Sequence, residues 1–148
     1  MNVQFRQFDG PSDWGWVKSH MPLLRVEDTS GIIAVDLDTN TTVAGCIFDT
    51  WTHTSVCAHQ IIENPMVLRH GWFEECVDYV YNVCEKQLII GLVPADNVKA
   101  LELNAKIGFV ELARVPDAVN VGVDLVLLTM RRDQCRFYHP PPPQAATG

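Results

Sequence analysis

The sequence predicts an α+β fold, with one mixed, mostly antiparallel sheet flanked by helices. Three observations carry that expectation. Gly31 to Glu63 contains three runs rich in β-branched and aromatic residues, separated by polar turns. His70 to Lys86 has the apolar spacing of an amphipathic helix. Leu88 to Val93 (LIIGLV) is an apolar run of strand length between two helical patterns, as expected for a strand covered on at least one face.

Val3 to Phe8 is a short strand candidate. Gly10-Pro11-Ser12-Asp13 then supplies turn and N-cap residues before a helix expected over Trp14 to Met21, which Pro22 limits. Trp14 and Trp16 are expected to pack in the core or a lid. Gly31 to Asp38 and Val43 to Trp51 flank the turn Thr39-Asn40-Thr41-Thr42, a hairpin signal. Ser55 to Glu63 continues the meander until Asn64-Pro65 interrupts it, because proline cannot donate to a ladder.

In the helix expected over His70 to Lys86, the apolar stripe is Trp72, Phe73, Cys76, Val77, Val80, Val83 and Cys84, opposite Glu74, Glu75, Asp78, Asn82 and Glu85. Pro94 ends the next strand. Asp96 is placed to cap a helix over Asn97 to Ile107, Glu102 and Lys106 form an i, i+4 pair on it, and Gly108 closes it. Glu111 to Val115 and Val123 to Met130 read as closing strands joined by Pro116 to Gly122. The domain is expected over residues 1–132. Residues 133–148 (DQCRFYHPPPPQAATG) read as a Pro-rich disordered tail.

At 148 residues, with 47% hydrophobic and 20% charged residues, the chain has the profile of one ordinary globular domain. A formal charge of -7 and a pI near 5.0 argue against a broad nucleic-acid footprint, while a local basic pocket for one anionic ligand stays open. No apolar run approaches membrane-spanning length, and MNVQFRQFDG lacks a signal peptide's basic start and apolar middle. The cytoplasm is the expected compartment. The five cysteines contain no C-x-x-C pair, so neither a disulfide framework nor a zinc site is indicated, and buried or partly buried thiols are expected.

The element order, together with N-x-x-A-L-x-x-x-x-K-x-G-F over Asn97 to Phe109, resembles the GNAT superfamily of N-acyltransferases, in particular the small members from bacteria and their viruses. The resemblance covers Val3 to about Arg132, and its specific part runs from Ile61 to Phe109. It implies that the parallel fourth and fifth strands splay apart and hold acyl-coenzyme A between them. The pantetheine arm would pair with backbone around Ile61 and Glu63, meeting the demand of strand edges for hydrogen-bond partners. The pyrophosphate would rest on the loop and first turn of the following helix, where unpaired N–H groups favour an anion. The family's loop pattern Q/R-x-x-G-x-G/A falls on Leu68-Arg69-His70-Gly71-Trp72-Phe73, where only the first glycine matches and the arginine is displaced by one position. Arg69 and His70 read either as phosphate contacts or as solvated loop residues. Asn97 reads as a donor and acceptor for pantetheine amides or as a helix cap. Lys99 would approach a nucleotide phosphate or stand as a surface lysine.

The resemblance further implies transfer of an acetyl group from acetyl-coenzyme A to an amine, with coenzyme A as product. A lysine-type amine with pKa about 10.4 is neutral in only about one part in 2,500 at pH 7, so a base is expected. His59 lies near where many members carry a carboxylate base, and an imidazole accepts a proton near neutrality. Glu63 shares its strand face by alternation and is the second catalytic candidate. His59 reads equally as a half-buried strand histidine with a hydrogen-bond partner. The family's Tyr, which protonates the leaving thiolate from L-Y-x-K-x-G-F, is replaced by Asn104. An amide can hydrogen-bond sulfur but is no general acid.

Two functions therefore stand. One is an acetyl-coenzyme A-dependent N-acetyltransferase acting by direct transfer in a ternary complex on an amine-bearing small molecule or protein. Backbone near Ile61 would polarise the thioester carbonyl, and the acceptor would enter beside Trp14, Trp16 and the closing strands. The other is a catalytically impaired interaction or regulatory protein on the same scaffold, with or without coenzyme A. Titration with acetyl-coenzyme A separates them.

Overall fold

The computed structural model describes residues 1–143. Its elements follow the expected order: β1 (Val3–Gln7), α1 (Gly10–His20), β2 (Ser30–Asp36), β3 (Thr41–Asp49), β4 (Ser55–Ile62), α2 (Trp72–Asp78), β5 (Leu88–Pro94), α3 (Val98–Ile107), β6 (Val110–Asn120) and β7 (Val123–Arg131). The strands form one sheet in the order β1-β2-β3-β4-β5-β7-β6. Every neighbouring pair is antiparallel except β4 and β5.

One sheet face packs against α2 and the winding after it, through Trp72, Phe73, Cys76, Val77, Val80 and Tyr81. The other face receives α1, with Val17 against Ile47 and Ile61, and with Trp14, Trp16 and Met21 around them. Trp16 reaches the sheet because Gly45 has no side chain: a Cβ there would lie 2.8 Å from Cζ3 of Trp16. The two tryptophans thus pack, as the sequence suggests. All five cysteines are free thiols, four buried and Cys84 partly so. Among the described residues no helix is long and apolar enough to cross a membrane.

Four local expectations are revised. After a 3-10 segment Pro65–His70, the single helix expected over His70 to Lys86 is instead α2 and then a π turn Tyr79–Val83 closed by Cys84 N–H donating to the Tyr79 carbonyl at 2.9 Å. Gly71, at φ 81, separates the 3-10 segment from α2. The wider π winding changes the phase of the stripe. Tyr81 is thereby turned inward, its hydroxyl donating to the Met130 carbonyl at 2.7 Å, while Val83 is left 66% exposed.

The cap of α3 is Asn97, whose Oδ1 accepts from the Ala100 N–H at 3.2 Å, rather than Asp96. The turn after Pro94, with Asn97 N–H donating to the Pro94 carbonyl, carries the chain one residue further before the helix starts. Pro116 to Asn120 belongs to β6, which is an edge strand and so tolerates a proline; the pairing with β7 is irregular between Val115 and Asn120.

The packed chain also continues past Arg132. Arg136 N–H donates to the Ile107 carbonyl, Phe137 lies 5.4 Å from the Phe73 ring, and the Tyr138 hydroxyl donates to Asn82. Gly108, at φ +131, accommodates this segment, since a Cβ there would collide with the Gln134 carbonyl. Aromatic residues within the expected tail therefore find a surface to cover. Residues 144–148, the end of that tail, lie outside the described residues.

α1 is tied to β1 by Arg6, which donates to both carboxylate oxygens of Asp13 at 2.6 and 2.9 Å, while Asp9 N–H donates to the same group at 2.7 Å. Burial opposes the charged carboxylate, but the Arg6 and Asp9 hydrogen bonds and the Arg6 charge outweigh it and hold Asp13 below its ordinary value. A depressed carboxyl stabilises the fold above the unfolded pKa of about 3.9 and loses that contribution as pH falls through the folded value. Urea denaturation followed from pH 6 to pH 2 should show a shallower acid-side loss of stability in Asp13→Asn than in the parent. Equal slopes below about pH 4 would deny the clamp this role.

Candidate functional site

β4 is paired with β3 over Cys57 to Ile62, and β5 with β7 along all of Leu88 to Pro94. Between them, β4 and β5 share only the pairs Ser55 with Leu88, Val56 with Ile89 and Cys57 with Ile90. Past those three pairs the strands part. The gap is a cleft of about 400 Å³, walled by β4 and β5, by α2 through Phe73, Cys76 and Val77, and by α3 through Ala100 and Leu103. Phe109 enters its wall over Gly91, where a Cβ would stand 3.4 Å from the ring. The exposed edge of β4 beyond Cys57 faces no strand, and its backbone groups need partners from solvent or a ligand.

Alternation along β4 sorts its side chains. Gln60 points to α2, where its Oε1 accepts from Trp72 Nε1 at 2.7 Å. Cys57, His59 and Ile61 point the other way, towards α1. His59 stands opposite Ile47, and its Nε2 lies 2.9 Å from Oδ1 of Asp49, with both side chains more than four-fifths buried. An ionised carboxylate only accepts, so Nε2 carries a proton and in the neutral ring Nδ1 keeps its lone pair. Asp49 is itself opposite Cys57. Burial pushes the Cys57 thiol up, and the Asp49 charge adds to the effect, so the sulfur is a thiol rather than a thiolate near neutrality.

Of the residues singled out in the sequence, His59, Asn97 and Asn104 line this one cleft. Of the two readings of Asn97 the helix cap is the one observed: its Oδ1 accepts from the Ala100 N–H, and the cap does not engage its NH2 group. Asn104 is half-buried on the next turns of the same helix, and its carbonyl accepts from the Gly108 and Phe109 N–H groups.

Other candidates lie elsewhere. The Ile61 side chain is buried against Val17 and Ile47, so it offers only backbone. Glu63 is exposed and outside the lining; its Oε2 lies 2.6 Å from His20 Nε2, tying the end of α1 to the end of β4. His20 is raised by its bond to the Trp16 carbonyl and then by Glu63. His59 and Glu63 therefore share a strand face, yet each has a different partner. Leu68, Arg69, His70, Gly71 and Trp72 form the approach to α2 without lining the cleft. Leu68 packs on the core, Arg69 and His70 are exposed, and Trp72 is fully buried. Phe73, at the second small-residue position of the family's loop, is a wall of the cleft. Glu74 and Glu75 add negative charge to the first turn of α2, and Glu74 Oε2 is buried with no hydrogen-bond partner among the described residues. That charge opposes an anion there, and Arg69 is the cationic residue of the preceding loop. Lys99 is exposed on the first turn of α3, outside the lining.

Sequence reasoning missed Asp49 and Gln60. Asp49 depends on the register across the β3–β4 turn, where it pairs with Cys57, and Gln60 on the packing of Trp72 against β4. Strand ends read from composition, at Trp51 and Ser55, leave that register undetermined.

No protein-family model matches the chain, and no curated protein sequence matches it. Solved structures do. Spermidine N-acetyltransferase SpeG from Vibrio cholerae in complex with CoA and spermine is similar over 90% of this chain and 97% of that one, with 13% identity and a TM-score of 0.72. The same organism's spermidine/spermine N-acetyltransferase SpeG in complex with manganese ions covers 88% and 92% at 13% identity and a TM-score of 0.72. Mutant forms of that enzyme reach a TM-score of 0.74 at 13% identity, over 89% and 96%. The chain shares the fold of these N-acetyltransferase structures, and its mixed sheet with one parallel pair, β4 and β5, is the architecture the sequence resemblance implies.

Gln60, which lines the cleft, accepts from the indole of the buried Trp72. Gln60→Leu leaves that buried N–H unpaired and should cost about 1–3 kcal/mol, read as a lower urea midpoint with unchanged denaturant slope. An unchanged midpoint would mean that the indole finds another acceptor.

Proposed function

We propose that the protein is an acetyl-coenzyme A-dependent N-acetyltransferase that passes the acetyl group directly to an amine within a ternary complex. The observation that carries this reading is the parting of β4 from β5 after Cys57 and Ile90, over a cleft of about 400 Å³. An extended amide chain laid there finds unpaired strand backbone on one side and the Asn97 NH2 group on the other. The thioester then lies near His59. The diphosphate reaches towards the loop Leu68 to Trp72, with Arg69 as its cation and His70 beside it, and Lys99 is close to the nucleotide end.

Each step has a group suited to it. His59 accepts the proton that a cationic amine must lose, through Nδ1, while Asp49 fixes the tautomer and stabilises the imidazolium. Backbone N–H groups of β4 near Ile61 stabilise the oxyanion. The described lining contains no tyrosine, so the sulfur leaves as a thiolate, aided by hydrogen bonding from Asn104; its ordinary pKa near 8.5 makes this tolerable. Glu63 contributes backbone and, through His20, the position of α1. The chain's net charge of -7 suits a cationic amine acceptor, which would enter beside Trp14 and Trp16.

A second reading is a non-catalytic protein on this scaffold. Asn104 in place of a proton donor and Phe73 at the cleft wall favour it. Calorimetric titration with acetyl-coenzyme A separates the two. The transferase reading expects saturable binding, weakened about 2- to 10-fold in Asn97→Ala by loss of one hydrogen bond. It also expects free-thiol release on adding amines, reduced about 100-fold or more in His59→Gln at nearly unchanged binding, with all assays in chelator. No heat at millimolar ligand sinks the cofactor reading, and binding without thiol release favours the non-catalytic one.

A further inference from the structure

The acceptor-side face of β4 carries an arrangement that acetyl transfer does not need. Asp49, Cys57 and His59 present an oxygen, a sulfur and a nitrogen whose ligand atoms all lie within 4.8 Å of one another. Acid–base work requires the imidazole and a carboxylate to orient it, and the thiol has no part in that.

The backbone explains why the three meet. Cys57 and His59 are two residues apart on β4 and so share a face. Asp49 is the antiparallel partner of Cys57, and Ile47, two residues before it, is the partner of His59. Three donors thus come from two adjacent, hydrogen-bonded strands, which hold them more firmly than loops would. Among the described residues, Asp49 has no lysine or arginine partner that would neutralise it in place of a cation; its one ion-pair partner is His59.

We propose that Asp49, Cys57 and His59 bind a divalent ion of the zinc class, and that the bound ion withdraws His59 from acetyl transfer. The donor set selects the ion. Magnesium and calcium take oxygen ligands, whereas thiolate with imidazole and one carboxylate suits zinc, with three protein ligands and an open fourth position. Zinc bonds of about 2.0–2.3 Å place tetrahedral donors roughly 3.3–3.7 Å apart. The three ligand atoms, all within 4.8 Å of one another, already stand close to that spacing. As the ion binds His59 Nε2 and Asp49, the imidazole proton moves from Nε2 to Nδ1, which then has no lone pair to offer an amine, and the Cys57 S–H proton passes to solvent as the sulfur binds. His59 is also the member of the three that lines the cleft, so occupation of the metal site is felt at the thioester. The coupling to activity rests on the reading of His59 as the base; the metal site does not.

Chelator-treated full-length protein titrated with cobalt(II) tests the site directly. One equivalent per chain should produce a thiolate-to-cobalt charge-transfer band with intense tetrahedral visible bands, both removed by zinc. Cys57→Ser should lose the charge-transfer band, Cys84→Ser should keep it, and Asp49→Asn and His59→Gln should bind cobalt more weakly. Absence of the band at millimolar cobalt overturns the site, as does its survival in Cys57→Ser. If that variant fails to fold by circular dichroism, alkylation of the parent is decisive: zinc should slow labelling of Cys57 and leave Cys84 unchanged, and equal labelling overturns the proposal. Zinc should also stop thiol release, and chelator should restore it. A cobalt band without inhibition overturns the coupling alone. Metal-free protein that transfers no acetyl group overturns the transferase reading, while the cobalt band still decides the site.

Discussion

The structure depends on a competition for backbone partners at the middle of the sheet. β4 is committed to β3 on one side, and β5 is committed to β7 over its whole length. Three shared pairs hold the parallel strands together at one end, and nothing in either strand compels them to stay together at the other. A sheet with unpaired edges in its interior would ordinarily carry an energetic cost of the kind that buried polar groups carry. Here the cost is contained because the gap opens to a cleft, where solvent or an extended ligand can meet the free N–H and carbonyl groups.

The walls of that cleft follow from packing on either side of it. Trp72 is the largest fully buried side chain, and its N–H is satisfied by Gln60 at 2.7 Å, so α2 is fixed against β4 by both area and a directional bond. On the other side Phe109 covers Gly91 and brings the end of α3 onto β5. The segment through Tyr138 then seals the ends of α2 and α3 from below, with Phe137 on Phe73 and Arg136 bonded to the Ile107 carbonyl. The shape of the cleft therefore depends on residues that the motif pattern does not include.

How far this was legible in the sequence follows from which interactions are local. Strand and helix order rests on periodicity and on Pro and Gly punctuation, and these are read within a short window. Asn97 and Gly108 are local signals too, and both act at helix ends as their types suggest, although the cap fell one residue beyond Asp96. The π winding at Tyr79–Val83 was not legible, because the same stripe fits an α-helix until tertiary contact draws Tyr81 inward to the Met130 carbonyl. The partners of His59 and Glu63 were illegible for a related reason. Alternation shows that they share a face, but only the three-dimensional register shows that one meets Asp49 and the other His20.

That separation of partners has a chemical consequence for a site lacking a tyrosine donor. On the proposed transferase reading, with Asn104 in that place, a proton removed from an amine is not handed to the departing sulfur by a dedicated acid. On that reading His59 would hold it while the thiolate leaves and then return it to water. The carboxylate of Asp49 at 2.9 Å fixes the ring by Nε2 and leaves Nδ1 as the atom that would take the proton. On the transferase reading, the Asp49–His59 pair thus sets the orientation of the base. Glu63, exposed and bonded to His20, has a different partner and does not orient that ring.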